Sequence, residues 1–393
     1  NTIHQQIIVW NELFASQVIN QDHEYDNLPF IGGLVGFFSY DLGKQLEFIA
    51  KNSDRIIPDY IFGLYNQSFV FDLINKYVYI IVISLNNFEY DYKAQLSVLE
   101  RIYENANSDC QINTMNYLPK IIVTPNFTQE QYVDIVERGI KYISDGDIFE
   151  VNLAQCFKAV VNKDYPCELL YHKLRQTNIA PFSAYLNFGS LCIMSASPER
   201  FLSIKNRQVE ARPIKGTIKR SLDPDEDLQL AIQLSISDKD RAENIMIVDL
   251  MRNDLSKICK KETVIVSQLC GVESYTNIHH LVSVINGELK DDTSIFTIIP
   301  SCFPGGSITG APKIRAMQII DELEPENRGV YCGSIGYFSF NGNVDLSIAI
   351  RTIIKNGTDL RYYAGGAITL DSEPIKEYNE TLLKAYKLQE IFQ

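Results

Sequence analysis

Residues 182–204 read FSAYLNFGSLCIMSASPERFLSI. They contain three β-type runs, Phe182–Phe188, Leu191–Ala196 and Arg200–Ile204, separated only by turn residues. Strands joined this closely can pair only antiparallel, because a parallel pair needs a crossover of a dozen residues or more. A helix is expected just before them, over Glu168–Asn178. Further upstream, Thr128 is a candidate N-cap, and Gln131 completes a capping box for a helix running to about Ser144. Asp145-Gly146-Asp147 reads as a turn, and Ile148–Val161 as the next strand. Hairpins followed by helices, with no regular βαβ alternation, predict an α+β chain built on antiparallel sheet.

The N-terminal part follows the same mixed pattern. Residues 1–20 carry a helical repeat, and Ile31–Tyr40 is Gly-rich and aromatic, like a tightly packed strand. Asp59–Phe71 and Tyr77–Leu85 read as two more strands about a turn at Ile74-Asn75-Lys76, and Leu96–Asn105 reads as a helix. The polar stretch Ala106–Asn116 is expected to be a linker, dividing an N-terminal subdomain (1–110) from a larger part (120–393). There is no internal repeat and no low-complexity segment.

Composition narrows the function classes. Among 393 residues, 36 Lys and Arg face 49 Asp and Glu, a net charge of −13. That argues against a nucleic-acid binder, which needs a basic face, but leaves room for a local anion pocket. An apolar fraction of 46% is ample for a large core. The longest apolar run, Tyr77–Leu85, falls far short of the ~20 residues that span a bilayer, so no membrane association is expected. Eight cysteines show no C-x-x-C pair and no ligand cluster with the five histidines, which predicts reduced, mostly buried thiols in a cytoplasmic protein. The chain opens on Asn1 rather than Met, with no signal-peptide pattern, so the numbering is expected to begin inside a longer gene product.

Three segments could carry chemistry. The first is a pair of helices. Asp238–Asp254 has a centre, Ile245–Met251, that is apolar nearly all round and is expected to be buried. It sets Asp240 and Glu243 three apart on one face, and a helix after Pro374 does the same with Glu377 and Glu380. Two such pairs could converge on a hard cation such as Mg²⁺, which takes few carboxylates and keeps several waters. Alternatively they are ordinary surface carboxylates, with Glu380 pairing with Lys384 one turn on. The second is Phe303–Leu323, FPGGSITGAPKIRAMQIIDEL, where glycines lead into Pro312 at a helix start. Backbone N–H groups there could hold a small carboxylate, with Lys313 and Arg315 adding charge, or the loop is an ordinary Gly-rich turn. The third is Glu210–Arg220, EARPIKGTIKR, with Lys215 in an apolar setting. A desolvated lysine can lose its proton near neutral pH and act as nucleophile or base, whereas a solvated loop lysine does neither. Ser197-Pro198-Glu199-Arg200, His280, Tyr331 and Arg351 are weaker signals, each with an ordinary structural reading.

Taken together, IGGLVGFFSYD, GDIFEVNLAQ, SASPERF, RPIKGT, DRAENIMIVDLMRNDL, HHLVS, GGSITGAPKIRAM, YCGSIGYF and AGGAITLDSEPIKEYNET, in this order from Ile31 to the C-terminus, resemble the chorismate-utilising enzymes. That family includes anthranilate, isochorismate, salicylate and aminodeoxychorismate synthases. PIKGT, where anthranilate synthases resemble PIAGT, points to the branch that aminates chorismate at C4. Isochorismate and salicylate synthases carry a Lys base where this chain has Glu150, and both amination branches usually have Gln there, so Glu150 departs from all of them.

The resemblance implies one large α/β sandwich of two stacked antiparallel sheets flanked by helices, with the N-terminal subdomain contributing strands. It implies conversion of chorismate to 4-amino-4-deoxychorismate, on the route to 4-aminobenzoate and folate. Lys215 would attack ring carbon C2 as the C4 hydroxyl leaves, Glu199 would protonate that hydroxyl, and His280 would orient it. Ammonia would then attack C4 and expel Lys215. Glu243 and Glu380 would be direct Mg²⁺ ligands, with Asp240 and Glu377 holding its waters. Tyr331, Arg351 and the backbone around Gly366 and Ala367 would clamp the enolpyruvyl carboxylate, with Gly216, Thr217, Gly306, Ser307 and Thr309 in the same pocket. Because no G-x-C-x-G nucleophile setting and no matching His-x-Glu occur here, ammonia is expected from a separate glutamine amidotransferase subunit in a heterodimer. Anthranilate synthase component I, and a catalytically inert homologue serving as a binding subunit, are the alternatives. The joint presence of Lys215, Glu199, Glu243 and Glu380 argues against the inert one.

Overall fold

The computed structural model describes residues 2–17, 27–49, 57–85, 91–107 and 118–392. The run at 182–204 folds as three antiparallel strands, Phe182–Phe188, Leu191–Ser197 and Arg200–Lys205, but they do not stay in one sheet. The first two pair with each other in a seven-stranded sheet, and the third crosses into a nine-stranded sheet. The crossover is Pro198-Glu199, which places Glu199 where the two sheets meet.

Burial along Leu191–Ser197 explains the layering. All seven residues are buried. Strand side chains alternate in direction, and here the alternation sends Ile193 into the cluster shared with the nine-stranded sheet. Cys192 and Met194 go into a second cluster, with Leu170, Leu174, Ala385 and Leu388 of covering helices. Neighbouring Ile354 and Ile353 split the same way. The seven-stranded sheet is therefore a middle layer. The nine-stranded sheet lies against one face, and helices Cys167–Thr177 and Pro374–Gln389 cover the other. Helices Pro224–Ser235 and Asp238–Ile258 pack on strands Ile214–Lys219, Ile265–Ser274 and Ile278–Glu288 of the large sheet. Every strand pair is antiparallel, so the architecture is the expected α+β sandwich.

Strands Gly33–Phe38 and Tyr60–Tyr65 from the N-terminal part are built into the large sheet, Gly33–Phe38 lying against Ser334–Ser339. Its register brings Gly36 opposite Gly336, where a Cβ on either glycine would fall within 2 Å of a neighbouring carbonyl oxygen. Helix Gln129–Ser144 starts at Thr128 with the expected capping box.

Two expectations are corrected. Asp59–Phe71 is not one strand. It breaks at Asn66, and Gln67–Asp72 leaves the large sheet to form a two-stranded ribbon with Tyr77–Val82. Asp72 Oδ1 accepts from Ile74 and Asn75 N–H in the ribbon turn. The helix from Asp238 is amphipathic rather than buried all round: Ile247, Val248, Met251 and Leu255 face the core, whereas Ile245 is 44% exposed. An apolar centre on a surface helix still buries only one stripe. Of the expected linker Ala106–Asn116, the first two residues end helix Tyr92–Asn107 and the rest lies outside the described residues.

Candidate active site

A cavity of about 620 Å³ opens between the two sheets and the carboxylate-bearing helices. That is within the range of small-molecule sites. Its wall carries Glu199, Lys215, Gly216, Thr217, Asp240, Glu243, His280, Ser307, Tyr331, Arg351, Gly366, Ala367, Glu377 and Glu380, side chains scattered over 182 positions of sequence. Gly306 and Thr309, expected in the same pocket, are not on its wall. Thr309 is fully buried, its hydroxyl donating to the Gly305 carbonyl at 3.0 Å, so it shapes the loop that presents Ser307. Lys313 and Arg315 also turn away. Lys313 reaches Asp254 (2.5 Å) and the Cys302 carbonyl, and Arg315 reaches Asp147, because successive helical residues rotate past the pocket.

Lys215 lies on strand Ile214–Lys219, whose register against Ile278–Glu288 slips between Ile214 and Thr217. Such a slip re-aims side chains, and Gly216 makes it possible with φ +89°. A Cβ at Gly216 would also stand 2.9 Å from the Asp240 side chain. The slip turns Lys215 inward until only 8% of it is exposed. The apolar setting expected for it is not what it meets: Lys215 Nζ stands 2.8 Å from Glu150 Oε1, and Glu150 is fully buried. That contact joins residues 65 apart, beyond any local pattern.

Glu199 accepts a 2.7 Å hydrogen bond from Ser307 Oγ. Burial is the largest influence on it and raises its carboxyl from the usual 4.5 to about 7, although Ser307 and Lys215 pull the other way. It can therefore hold a proton near neutrality, as a general acid must. The distance from 4.5 to about 7 corresponds to roughly 3 kcal/mol disfavouring the charged form. A carboxyl raised on folding costs nothing below its unfolded value, and its penalty is complete above the folded value. Glu199→Gln is thus expected to stabilise the protein at pH 8 and leave stability unchanged near pH 4. Thermal melts at both pH values check this, and equal shifts at the two would contradict it.

His280 sits directly across from Thr217, whose Oγ1 is 2.8 Å from His280 Nδ1. Burial, then the nearby Arg351, lowers its imidazole to about 4, so it is neutral at pH 7. Its neighbour His279 is the structural histidine, held between Ser274 and Asp227 away from the cavity. Arg351 has φ +50°, a left-handed conformation that costs about 1–3 kcal/mol for a non-glycine residue. Among the described residues its guanidinium has no carboxylate partner, and it faces the cavity. Tyr331 is stacked on Tyr363 at 5.0 Å, and Arg328 lies over its ring.

The four acidic residues come from two helix starts. Ser237 caps the first helix and donates to Asp240 Oδ2 at 2.5 Å. Pro374 opens the second, and Ser372 Oγ donates to Glu377 Oε1 at 2.8 Å. Gly366 backs this second pair; a Cβ there would approach Glu377 Oε2 to 3.3 Å and Glu380 Oε1 to 3.6 Å. Burial pushes the Glu243 and Glu377 carboxyls up, and the neighbouring charges of Asp240 and Glu380 push the same way. Repelling carboxylates on one wall suit a divalent cation. Among the described residues no group of three or more His, Cys, Asp or Glu side chains gathers closely enough to hold a metal ion, so the carboxylates stand as two separate pairs. The pairing of Glu380 with Lys384 is also present, at 2.6 Å.

Sequence reasoning missed Arg328. It is 1% exposed, bonded to Glu324 and to the carbonyls of Ile308 and Asn152, and so ties two walls of the cavity together. An isolated arginine in a loop gives no signal of this.

A family model for chorismate binding enzymes matches residues 2–390. The chain belongs to the chorismate-binding enzyme family. Aminodeoxychorismate synthase component 1 of Escherichia coli K12 is 41% identical over 365 residues, covering 92% of this chain and 77% of that one. Anthranilate synthase component 1 of Aquifex aeolicus is 37% identical, with 92% and 75% covered. Among solved structures, anthranilate synthase component I from Streptococcus pneumoniae superposes with a TM-score of 0.85 at 34% identity, over 97% of this chain and 85% of that one. This chorismate-binding enzyme thus shares sequence with aminodeoxychorismate and anthranilate synthase components, and its fold with the latter. No helix among its described residues is long and apolar enough to cross a membrane.

Proposed function

We propose that this enzyme converts chorismate to 4-amino-4-deoxychorismate, the product in the names of three relatives at 41%, 40% and 38% identity. The observation that carries the reading is the lysine of PIKGT, turned inward on the cavity wall beside Glu199. Arg351, Tyr331 and the Gly366-Ala367 backbone receive the enolpyruvyl carboxylate. Glu243 and Glu380 would hold a magnesium ion, with Asp240 and Glu377 supporting them, and the ion when bound would supply charge neutralisation and Lewis acidity. Neutral His280, accepting at Nδ1 from Thr217, offers Nε2–H to the C4 hydroxyl.

Lys215 attacks C2 as the C4 oxygen departs with the Glu199 proton. Hydroxide is a poor leaving group, and general-acid help of this kind is worth ~10²–10⁴-fold. Ammonia then attacks C4 and the C2–N bond to Lys215 breaks. The covalent intermediate divides one difficult displacement into two easier ones. We place the enzyme in the cytoplasm, receiving ammonia from a separate glutaminase subunit. The "component 1" names of its relatives and the seven unpaired, buried cysteines among the described residues support this.

Incubating the purified chain with chorismate and Mg²⁺ tests the reading. Ammonium is expected to give 4-amino-4-deoxychorismate by mass, and glutamine alone nothing. Anthranilate as the sole product would instead make the chain an anthranilate synthase component, and glutamine-dependent product from the single chain would remove the need for a partner.

A further inference from the structure

We propose that Glu150 takes the proton that Lys215 must lose before it attacks, so that carboxylate and amine work as one nucleophilic unit. This deepens the reading above and rests on Lys215 being the nucleophile.

Glu150 opens the strand Glu150–Val160, where its backbone is fixed opposite Ala311. Its side chain is fully buried, and the one cation it meets among the described residues is Lys215, at 2.8 Å. Asn152 Nδ2 donates to the same oxygen, Oε1, at 3.3 Å. The other oxygen, Oε2, is buried with no hydrogen-bond partner among the described residues. A buried polar atom left unpartnered calls for a reason, and the 2.8 Å contact from Nζ to Oε1 gives the ammonium proton a direct path to the carboxylate. A lysine nucleophile must pass its proton to some acceptor, because its ammonium form has no lone pair; where the amination branches have Gln that acceptor lies elsewhere, and in this chain Glu150 is the group in contact with Nζ. Glu150 lies behind the cavity wall, in contact with Lys215, and the carboxyls on the wall itself have other work. Glu199 must begin protonated, while Glu243, Asp240, Glu377 and Glu380 line the wall as the ligands proposed for a cation. Arg351 and Lys239 are cationic, and His280 is engaged with Thr217.

The protons balance through the cycle. Nζ bonds to C2, the C4–O bond breaks, water leaves with the proton of Glu199, and the Nζ proton passes to Glu150. In the second half ammonia bonds to C4, the C2–N bond breaks, Glu150 returns its proton to departing Nζ, and Glu199 takes one from the new amine. Both carboxyls end as they began, and the net change is chorismate plus ammonia to amino product plus water.

The decisive variant is Glu150→Gln, which keeps shape and hydrogen bonding but cannot take a proton. With saturating ammonium and Mg²⁺, kcat at pH 7 is expected to fall on the order of 10²-fold. KM for chorismate should stay within about twofold, and kcat should recover about tenfold per pH unit as solvent takes over deprotonation. A purely structural or charge-holding role would move KM and leave the pH profile alone. Without ammonia, intact mass should detect a Lys215 adduct that forms quickly in the native enzyme and slowly in Glu150→Gln. A variant with near-native kcat and adduct rate at pH 7 overturns the proposal. Should Glu150→Gln fail to fold, the native enzyme decides: adduct formation climbing tenfold per pH unit from pH 7 to 9 means solvent, not Glu150, is the acceptor. Lys215→Ala separates the two readings. No native adduct and full turnover by Lys215→Ala sinks the nucleophile and this proposal together, whereas a Lys215-dependent adduct indifferent to Glu150 sinks the proposal alone.

Discussion

Lys215→Ala is expected to lower kcat for 4-amino-4-deoxychorismate on the order of 10³-fold or more, because nucleophile and leaving-group protonation act as a unit. The pocket left behind would resemble PIAGT, where ammonia can reach C2 directly, so trace C2-aminated product or anthranilate is expected in its place. Lys215→Arg should not rescue, since a guanidinium stays protonated and cannot attack. It would also leave Glu150 with a bulkier cation in a space that admits only 8% exposure of the native lysine. The competing idea is that Lys215 only attracts a dianionic substrate. It predicts a raised KM with kcat mostly kept, and partial recovery in Lys215→Arg. Measuring both constants for both variants, with products identified by mass, separates the two. A near-normal kcat in Lys215→Arg ends the nucleophile reading.

What could be read in advance divides along the range of the interactions. The i,i+3 pairs Asp240/Glu243 and Glu377/Glu380 and the Thr128 capping box follow from helical spacing, and the structure has them. Antiparallel pairing follows from short runs with turn residues between them, whereas the stacking of two sheets was implied only by the family resemblance. Lys313 and Arg315 were misplaced because nearness in sequence to a glycine loop says nothing about which way a helix presents its next turn. The Lys215–Glu150 contact could not be foreseen from either residue. It depends on a register slip at Gly216 and on a strand edge 65 residues earlier, and only tertiary packing brings the two together. Arg328 was silent for the same reason, since its partners are backbone carbonyls of two distant segments.

The carboxylate wall sets the second large effect. Excess EDTA is expected to stop turnover, and Glu243→Gln and Glu380→Gln each to lower it by roughly 10²-fold or more, since even groups outside the direct coordination sphere of a metal are worth 10–100-fold. Removing a charge from a repelling set should by itself stabilise the empty protein, so melting without metal should hold or rise in both variants. Adding Mg²⁺ should raise the melting temperature of the native enzyme, because a ligand that binds only the folded state stabilises it by about 2.7 kcal/mol at a hundred times its Kd. Neither variant should gain as much. Protons compete for the same oxygens, and burial and like charge hold Glu243 and Glu377 above the usual carboxylate range. Metal affinity should therefore weaken as pH falls, and at a higher pH than for solvated carboxylates. The rival account makes these surface carboxylates, neutralised by Lys384 at 2.6 Å from Glu380 and Lys239 at 4.0 Å from Glu243. It predicts no melting response to Mg²⁺ and full activity in EDTA, and Glu380→Gln with an unchanged rate would establish it. If both accounts hold in turn, the lysines stand in for the cation until it arrives, and Lys384→Met should then tighten Mg²⁺ binding in calorimetry while Glu380→Gln weakens it.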